Sequence, residues 1–284
     1  MTISFFTNYV NHHQIPLADE LYRILGDDYY YIATCDTQEL VKAMSGYSEI
    51  ERPYIIRSYA NEIAKKKAFD LAKQSDVMIY GTPECLPYVK ARYESARDKL
   101  TFEVGERWLK KGFLNFLSPR LLRYKWLYHT ICPKERTFRL CASAYASHDE
   151  HLMLSYKDKC FKWGYFTSVP NVNMENITSL KQTTSTLKIL WVARFLKWKH
   201  PEQMLQLALR LQSAHIDFKI DMIGEGPLWK SINNDITKLK LQRSVHLLGV
   251  MPNKEVIQKM YEYHIFCFTS DRHEGWGAVL NEAM

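Results

Sequence analysis

The sequence lacks the features of an integral membrane protein, a disulfide-rich secreted domain and a zinc site. No uninterrupted apolar stretch is long enough to span a bilayer, and the N-terminus has neither the basic segment nor the apolar run of a signal peptide. The six cysteines have no paired spacing, which is typical of reduced thiols: Cys35, Cys85, Cys132, Cys141, Cys160 and Cys267. We therefore expect a cytoplasmic protein.

The composition is that of a soluble globular protein. The chain has 284 residues, of which 46% are hydrophobic and 24% charged, enough for two domains. Short β-like runs alternate with helix-like segments, and this alternation predicts an α/β protein with mostly parallel sheets. In the first half, strands are predicted at 3–9, 29–35 and 76–80 and a helix at 17–25, whereas residues 101–166 are predicted to be helical and aromatic.

A polar stretch at 173–186, rich in Asn, Thr and Ser, is predicted to be a linker. It would separate an N-terminal domain, residues 1–172, from a C-terminal domain, residues 187–284. In the second domain the predicted strands are 188–193, 218–223, 245–248 and 265–269, and the predicted helices are 201–212, 228–239 and 253–263. Two successive α/β units imply two Rossmann-like domains facing a cleft, with ligands beyond the carboxyl ends of the strands.

Two glutamates near the end of the sequence, Glu274 and Glu282, accompany a glycine-containing turn. In a helix, a spacing of eight residues returns both carboxylates to about the same face, where they could accept hydrogen bonds from sugar hydroxyls. Gly275 and Gly277, on either side of Trp276, would leave backbone N–H groups open to an anion at the helix start. The pattern indicates a site for a sugar and a phosphate; an amphipathic surface helix with incidental glutamates is the alternative.

Two further loops follow predicted strands of the same sheet and would meet this motif at one edge. Arg194 and Lys199 follow the first strand, and a guanidinium beside an ammonium group suits a diphosphate. Gly224, Glu225 and Gly226 follow the second strand and would let the chain turn tightly and approach a ligand such as a nucleobase. The three loops together predict a binding site for a nucleotide sugar.

Residues 188–284 resemble the donor-binding domain of the retaining GT-B glycosyltransferases of family 4. That family carries an Arg and Lys pair after the first strand of the domain, a Gly-x-Gly loop after the second and an E-x7-E motif. The resemblance implies the GT-B fold and a hexosyltransferase that uses a nucleotide sugar. It also implies that Arg194 and Lys199 hold the donor diphosphate, that Glu274 contacts the transferred sugar and that Glu282 contacts the ribose.

The resemblance further implies transfer with retention, in which the acceptor attacks the face that the leaving group vacates. Departure of the nucleotide leaves negative charge on the diphosphate, which fixed cations and helix N–H groups stabilise. The sequence has no Asp-x-Asp motif, the usual sign of a metal–diphosphate site in the other glycosyltransferase fold. We therefore expect no cofactor and no metal, with Arg194, Lys199 and the helix terminus in the metal's place.

The residues expected on the acceptor side are His12, His13 and Glu103. Both histidines lie in a polar loop after the first strand, where simple solvation is the alternative. Many family members have a histidine after a middle strand of the first domain, whereas the comparable turn here, residues 81–84, has none. His148 and His151 are three residues apart, which without further ligands favours a surface helix over a metal site.

Basic and aromatic residues are interleaved between residues 105 and 129, in a chain of net charge +7. The set comprises Arg107, Lys110, Lys111, Arg120, Arg123 and Lys125 with Trp108, Phe113, Phe116, Tyr124, Trp126 and Tyr128. This mixture suits an anionic membrane surface, and the alternative is a solvated helix pair whose aromatic side chains are core. Nucleic acid could use the same residues but is not an expected partner.

The expected acceptor is a glycan or a polyprenyl-linked sugar, in bacterial-type surface polysaccharide or capsule synthesis at the inner face of the plasma membrane. The family continues past the second glutamate with further strands and a helix, so we expect a truncated chain with an incomplete second domain. The alternative function is an inactive remnant that keeps the nucleotide-sugar-binding fold without turnover. An epimerase or dehydrogenase is disfavoured because no Gly-x-Gly-x-x-Gly follows the first strand.

Overall fold

The computed structural model describes residues 1–36, 50–168, 174–182 and 185–284. They form two compact units: the first contains the described residues up to Ser168, and the second contains those from Met174 to Met284. No helix within these described ranges is both long and apolar enough to cross a bilayer.

The first unit is built on a parallel sheet of seven strands. These are β1 (Ile3–Thr7), β2 (Tyr29–Ala33), β3 (Ile55–Arg57), β4 (Val77–Tyr80), β5 (Leu100–Gly105), β6 (Thr137–Cys141) and β7 (Cys160–Lys162). Its described α-helices are α1 (Ile15–Leu25), α2 (Glu62–Gln74), α3 (Leu86–Ser95), α4 (Pro119–Trp126) and α5 (Ala146–Leu152). A 3₁₀ segment, Gly112–Leu117, precedes α4.

The second unit repeats this plan on a parallel sheet of four strands. These are β8 (Leu187–Val192), β9 (Phe218–Ile223), β10 (Val245–Gly249) and β11 (Ile265–Cys267). Its described helices are α6 (Met174–Gln182), α7 (Glu202–Ser213), α8 (Trp229–Lys238), α9 (Asn253–Met260) and α10 (Ala278–Ala283).

Each sheet has a point at which the direction of strand addition reverses. The order in the first sheet is β3-β2-β1-β4-β5-β6-β7, so the reversal falls between β1 and β4. The order in the second is β10-β9-β8-β11, so the reversal falls between β8 and β11. Loops that leave the carboxyl ends of the two strands at a reversal point diverge to opposite faces and leave a crevice, where ligands of such folds bind.

Both faces of each sheet are covered, which explains why the strands read as nearly continuous apolar runs. Phe6 of β1 packs in a cluster with Ala68 and Ala72 of α2, and the adjacent Phe5 packs on the opposite face with Ala18 of α1. Consecutive residues point to opposite faces because the side-chain period of a strand is two. The helices follow from local signals as well: the side chain of Asn61 caps α2 by accepting a 2.8 Å hydrogen bond from the backbone N–H of Ala64.

The predicted α/β class with parallel sheets is confirmed, and each of the seven strands read from the sequence has a counterpart. The prediction of a helical segment at 101–166 is wrong in part, because β5, β6 and β7 lie there. Glu103 and Arg139 interrupt the apolar pattern of β5 and β6, and they face each other in the strand register. Helix α6 lies inside the predicted linker at 173–186, and the predicted domain boundaries themselves stay a prediction.

Candidate functional site

The reversal point of the second sheet brings together two of the residues that the sequence indicates. Lys199 follows β8 and Glu274 follows β11, and the ammonium group of Lys199 forms an ion pair with the Glu274 carboxylate. Both side chains are largely buried, and the Lys199 ammonium also lies 5.8 Å from the centre of the Phe268 ring. An ammonium held in this way is a fixed positive charge at the carboxyl edge of the sheet.

The loops that carry Lys199 and Glu274 are tied to each other by neighbouring groups. The backbone N–H of Asp271 donates to the carbonyl of Trp198 at 3.0 Å, and the His200 imidazole lies 3.0 Å from the Asp271 carboxylate. Hydrogen bonds to Glu202 and Asp271 raise the pKa of His200. Although burial opposes the change, hydrogen bonds from His273 and His200 lower the pKa of Asp271 to about 2. This network favours the charged form of both groups and fixes the turn that presents Lys199.

The Gly224–Gly226 loop approaches the chain itself. A Cβ atom on Gly224 would lie 2.1 Å from the Ala193 carbonyl oxygen, and one on Gly226 would lie 2.8 Å from the Phe195 carbonyl oxygen. The backbone N–H of Phe195 donates to the carbonyl of Glu225 at 2.9 Å. These glycines therefore let the loop after β9 pack directly on the segment after β8, and the expected approach of this loop to a nucleobase stays a prediction.

Arg194 and Glu225 lie on these two packed loops and are exposed to solvent. Among the described residues neither makes an ion pair. Arg194 is thus accessible to a ligand at the same edge of the sheet as Lys199, which follows it by five residues. The predicted meeting of three loops at one edge is borne out in their backbone contacts, while their binding of a ligand stays a prediction.

The end of the motif differs from the expected helix. Helix α10 begins at Ala278, so Glu274, Gly275, Trp276 and Gly277 lie in the turn before it. The expectation that Glu274 and Glu282 share one helical face is therefore wrong, because only Glu282 is in the helix. Glu282 accepts a 3.0 Å hydrogen bond from the side-chain amide of Asn253.

Gly277 has a structural reason to be glycine. Its φ angle is +77°, and a Cβ atom there would lie 2.6 Å from the Phe268 ring. Helix α10 has six residues, and the anion site expected at Gly275 and Gly277 stays a prediction.

The reversal point of the first sheet opens a cavity of about 520 Å³. It is lined by the residues that follow β1, β4 and β5, including Asn8, Thr82 and Glu106. Glu103 lines the cavity as well, and its expected contact with an acceptor stays a prediction. Most of the other polar lining residues were not predicted from the sequence: Asn8, Asn11, Gln14, Thr82, Asn115 and Tyr165. The signals that could have indicated them are the polar loop after the first strand and the Gly81-Thr82 turn.

His12 and His13 lie in the loop after β1, with ring centres 3.7 Å apart. Burial lowers the pKa of both imidazoles, and the neighbouring His12 lowers that of His13 further, so both rings are neutral at pH 7. Neither belongs to the described lining of the cavity. Their contact with a substrate stays a prediction.

Glu103 belongs to a buried charge network beneath the cavity. Arg139 Nη1 lies 2.5 Å from Glu103 and its Nε lies 2.8 Å from Glu150, although these N–H bonds do not point at the carboxylates closely enough for hydrogen bonds. Tyr156 also donates to Glu103. Burial raises the pKa of Glu150 to about 8 against the opposing charge of Arg139. Glu103 is therefore engaged by protein groups on the cavity floor.

The basic and aromatic segment divides into core and surface. Trp108, Tyr124 and Tyr128 are buried in the first unit, which fits the alternative in which the aromatic residues are core. Five apolar side chains of the same segment are exposed, and we call them the apolar ridge: Phe113, Leu114, Leu117, Leu122 and Trp126. Exposed apolar side chains grouped in this way are typical of an interaction surface.

The histidines of the weak metal motif, His148 and His151, lie exposed on α5. The two carboxylates between them are taken by other partners, since Asp149 pairs with Arg107 at 3.1 Å and Glu150 with Arg139. This arrangement fits a surface helix whose acids point inward.

Comparison with known proteins shows the fold and a family match over the second unit. The fold resembles that of GT-B glycosyltransferases: the chain superposes on HepE from Anabaena in complex with UDP with a TM-score of 0.69, covering 100% of this chain and 78% of that one at 16% identity. Residues 174–284 match the family described as glycosyl transferases group 1. The match covers the second unit, which therefore resembles a domain of that family.

Two curated proteins resemble this region in sequence. The chain is 28% identical over 117 residues to the UDP-N-acetylglucosamine--peptide N-acetylglucosaminyltransferase GtfA subunit of Limosilactobacillus reuteri, covering 41% of this chain. It is 26% identical over 106 residues to the phosphatidylinositol N-acetylglucosaminyltransferase GPI3 subunit of Saccharomyces cerevisiae, covering 37% of this chain. The aligned region spans 22% and 23% of these relatives.

Proposed function

We propose that this protein is a retaining glycosyltransferase that transfers a hexose from a nucleotide sugar to a glycan or lipid-linked acceptor. The observation that carries the proposal is the meeting of Lys199 and Glu274 at the reversal point of the second sheet. A cation there can stabilise the charge that develops on a departing diphosphate, and a carboxylate beside it can hold sugar hydroxyls. The neighbouring HepE structure contains UDP, which supports a uridine nucleotide as the donor's leaving group.

Arg194 and Lys199 are proposed to bind the donor diphosphate, with Glu274 on the sugar and Glu282 on the ribose. In this arrangement Lys199 gains the diphosphate as a second anionic partner beside Glu274. Fixed cations stabilise the leaving group without reorganisation, so we propose that the reaction needs no metal and no cofactor. Retention follows from attack on the face that the diphosphate leaves, with the exposed Arg194 free to follow the departing charge.

The test is hydrolysis and transfer from a panel of UDP- and GDP-sugars, run with excess EDTA. Alanine at Arg194 or Lys199 should each lower turnover by roughly a hundredfold or more, because each removes a charge that acts on the transition state. Lys197→Ala is the matched control, since Lys197 is an exposed cation in the same turn as Lys199. Undiminished turnover in both test variants, or loss of all activity with EDTA, would contradict the assignment.

The same panel separates the enzyme from the inactive alternative. UDP binding that depends on Lys199 without any donor turnover would identify a chain that keeps the nucleotide-sugar-binding fold but does not catalyse transfer. Donor turnover above the Lys199→Ala level would exclude that alternative.

We also propose that the protein works at the surface of an anionic membrane, in the synthesis of a surface polysaccharide such as a capsule. The support is the apolar ridge of the first unit, where Phe113, Leu114 and Leu117 are each more than three-quarters exposed. Arg123 and Lys125 lie on α4 among these side chains. Aromatic and aliphatic side chains flanked by cations suit the interface of an anionic bilayer.

A further inference from the structure

Neutral hydrogen-bonding groups line part of the cavity in the first unit. Asn8, Asn11 and Thr82 follow β1 and β4, and Trp108 offers an aromatic surface. Two lining atoms, Gln14 Oε1 and Tyr124 Oη, are buried without a hydrogen-bond partner in the described part of the chain. Both residues are at least nine-tenths buried. Buried polar atoms are costly when unpaired, so these two are expected to be satisfied by a polar ligand or by water.

Cations outnumber carboxylates around this cavity, and most of them are neutralised by the protein. Arg107 pairs with Asp149, and Lys110 pairs with Glu106. Arg139 pairs with Glu103 on the cavity floor.

Two lining cations are different. Lys111 and Arg120 are exposed, and neither has a carboxylate partner among the residues that the structure describes. Lys111 directly precedes the 3₁₀ segment Gly112–Leu117, and Arg120 lies in the first turn of α4. An uncompensated pair of cations on one cavity is a site for an anion, and a guanidinium beside an ammonium group suits phosphate.

The apolar ridge shares its two helical segments with these cations. Phe113, Leu114 and Leu117 come from the 3₁₀ segment, and Leu122 and Trp126 come from α4. The fraction of each side chain exposed runs from 49% for Leu122 to 79% for Phe113. These two segments therefore carry both the two cavity-lining cations and a set of exposed apolar side chains.

We propose that the cavity binds an acceptor in which a saccharide is joined through a phosphate or diphosphate to a hydrocarbon chain. The saccharide would contact the neutral polar part of the cavity lining, Lys111 and Arg120 would hold the phosphate, and the chain would lie on the apolar ridge. This inference rests on the proposed glycosyltransferase function and defines its acceptor as an anionic lipid-linked sugar. A free sugar phosphate has the same anionic group as this acceptor, but it has no hydrocarbon chain to contact the apolar ridge.

The test is calorimetric binding of geranyl diphosphate to the full chain, with excess UDP to occupy the donor site. Lys111→Gln/Arg120→Gln should weaken binding by about tenfold or more, since each variant removes a charge-assisted contact to the diphosphate. Lys66→Gln/Arg136→Gln is the matched control, because both cations are exposed and neither lines the cavity. Its affinity should equal that of the unmodified protein.

A second arm separates the hydrocarbon from the anion. Phe113→Ser/Leu117→Ser should weaken the binding of geranyl diphosphate and leave the binding of inorganic diphosphate unchanged. Lys111→Gln/Arg120→Gln should weaken the binding of both. Equal weakening of both probes by the serine variant would overturn the assignment of the hydrocarbon chain to the ridge. If the glutamine variant and its control bind geranyl diphosphate with equal affinity, the phosphate site is overturned. The phosphate site is also overturned if the glutamine variant loses only its binding to phosphatidylglycerol vesicles.

The donor-site variant keeps this test independent of the proposed function. Lys199→Ala should leave geranyl diphosphate binding unchanged while it abolishes donor turnover. Loss of geranyl diphosphate binding in Lys199→Ala would mean that the probe occupies the donor site, which overturns the inference. Absence of donor turnover together with Lys111- and Arg120-dependent binding would contradict the proposed function and leave the anion site standing.

Discussion

At the scale of single residues, Gly224 and Gly226 show how a glycine pair lets one loop pack directly on another. Their φ angles are +125° and +154°, and both Cα atoms abut the chain that follows β8. The sequence predicts the tight turn from the residue types. It does not reveal the partner, because Ala193 and Phe195 are some thirty residues away in the chain and meet these glycines only when β8 and β9 pair.

Gly224→Ala should destabilise the second unit by about 2 kcal/mol or more, because the new Cβ atom would meet the Ala193 carbonyl in addition to the backbone strain. Gly249→Ala is the matched control: its φ is +72° and nothing lies within 4 Å of its Cβ position, so only strain of about 1 kcal/mol is expected. Urea unfolding of both variants measures the difference. Equal losses of stability would show that the close approach to Ala193 does not matter.

At the scale of secondary structure, β5 and β6 are the elements that the sequence conceals. Glu103 and Arg139 are cross-strand neighbours and both are fully buried, so the strands carry charges where an apolar pattern is expected. Burial of a single charge is prohibitive, but Glu103 and Arg139 compensate each other. Local periodicity cannot predict such strands, since the compensation comes from another strand.

The buried carboxyl group of Glu150 should make the first unit less stable as the pH rises. Because its folded pKa of about 8 exceeds the ordinary value of 4.5, the folded state binds a proton that the unfolded state has already lost. Stability from this group is full below pH 4.5 and falls through pH 8, by about 1.4 kcal/mol per pH unit in the steep range. Arg139, Glu103, Cys141 and Asp149 are the charged and titratable groups around it.

Glu150→Gln should remove this slope between pH 5 and pH 8, as followed by urea unfolding at several pH values. The exposed Glu135→Gln serves as the control and should keep the slope. A slope that is the same in Glu150→Gln and in the unmodified protein would show that Glu150 is ionised in the folded state.

At the scale of the whole molecule, net charge and the apolar ridge act together. The chain carries a net charge of +7, which attracts it to anionic surfaces over a distance set by the ionic strength. In the proposed membrane docking, the ridge would supply short-range apolar contact with the acyl boundary. Neither feature alone specifies a membrane, but a charge attraction and an apolar anchor are the two components of peripheral binding.

Flotation with phosphatidylglycerol-containing vesicles should therefore recover the protein at low salt and less of it at high salt, with little binding to phosphatidylcholine alone. Leu117→Ser/Trp126→Ser should reduce binding by about tenfold or more, because it removes apolar surface from the interface. Ile24→Ser/Ile63→Ser removes two equally exposed apolar side chains elsewhere in the first unit. Equal binding by these two double variants would contradict membrane docking through the ridge.

The sequence by itself determined the α/β class, the positions of seven strands and the residue types that follow them, because hydrophobic periodicity and turn chemistry are local properties. Tertiary structure decided which of those residues act on one another. Lys199 and Glu274 are 75 positions apart and meet because β8 and β11 are neighbours in the sheet. Lys111 and Arg120 can be distinguished from the other cavity cations only in the structure, where the others pair with carboxylates. Charge compensation depends on distance in space, which the order of residues does not give.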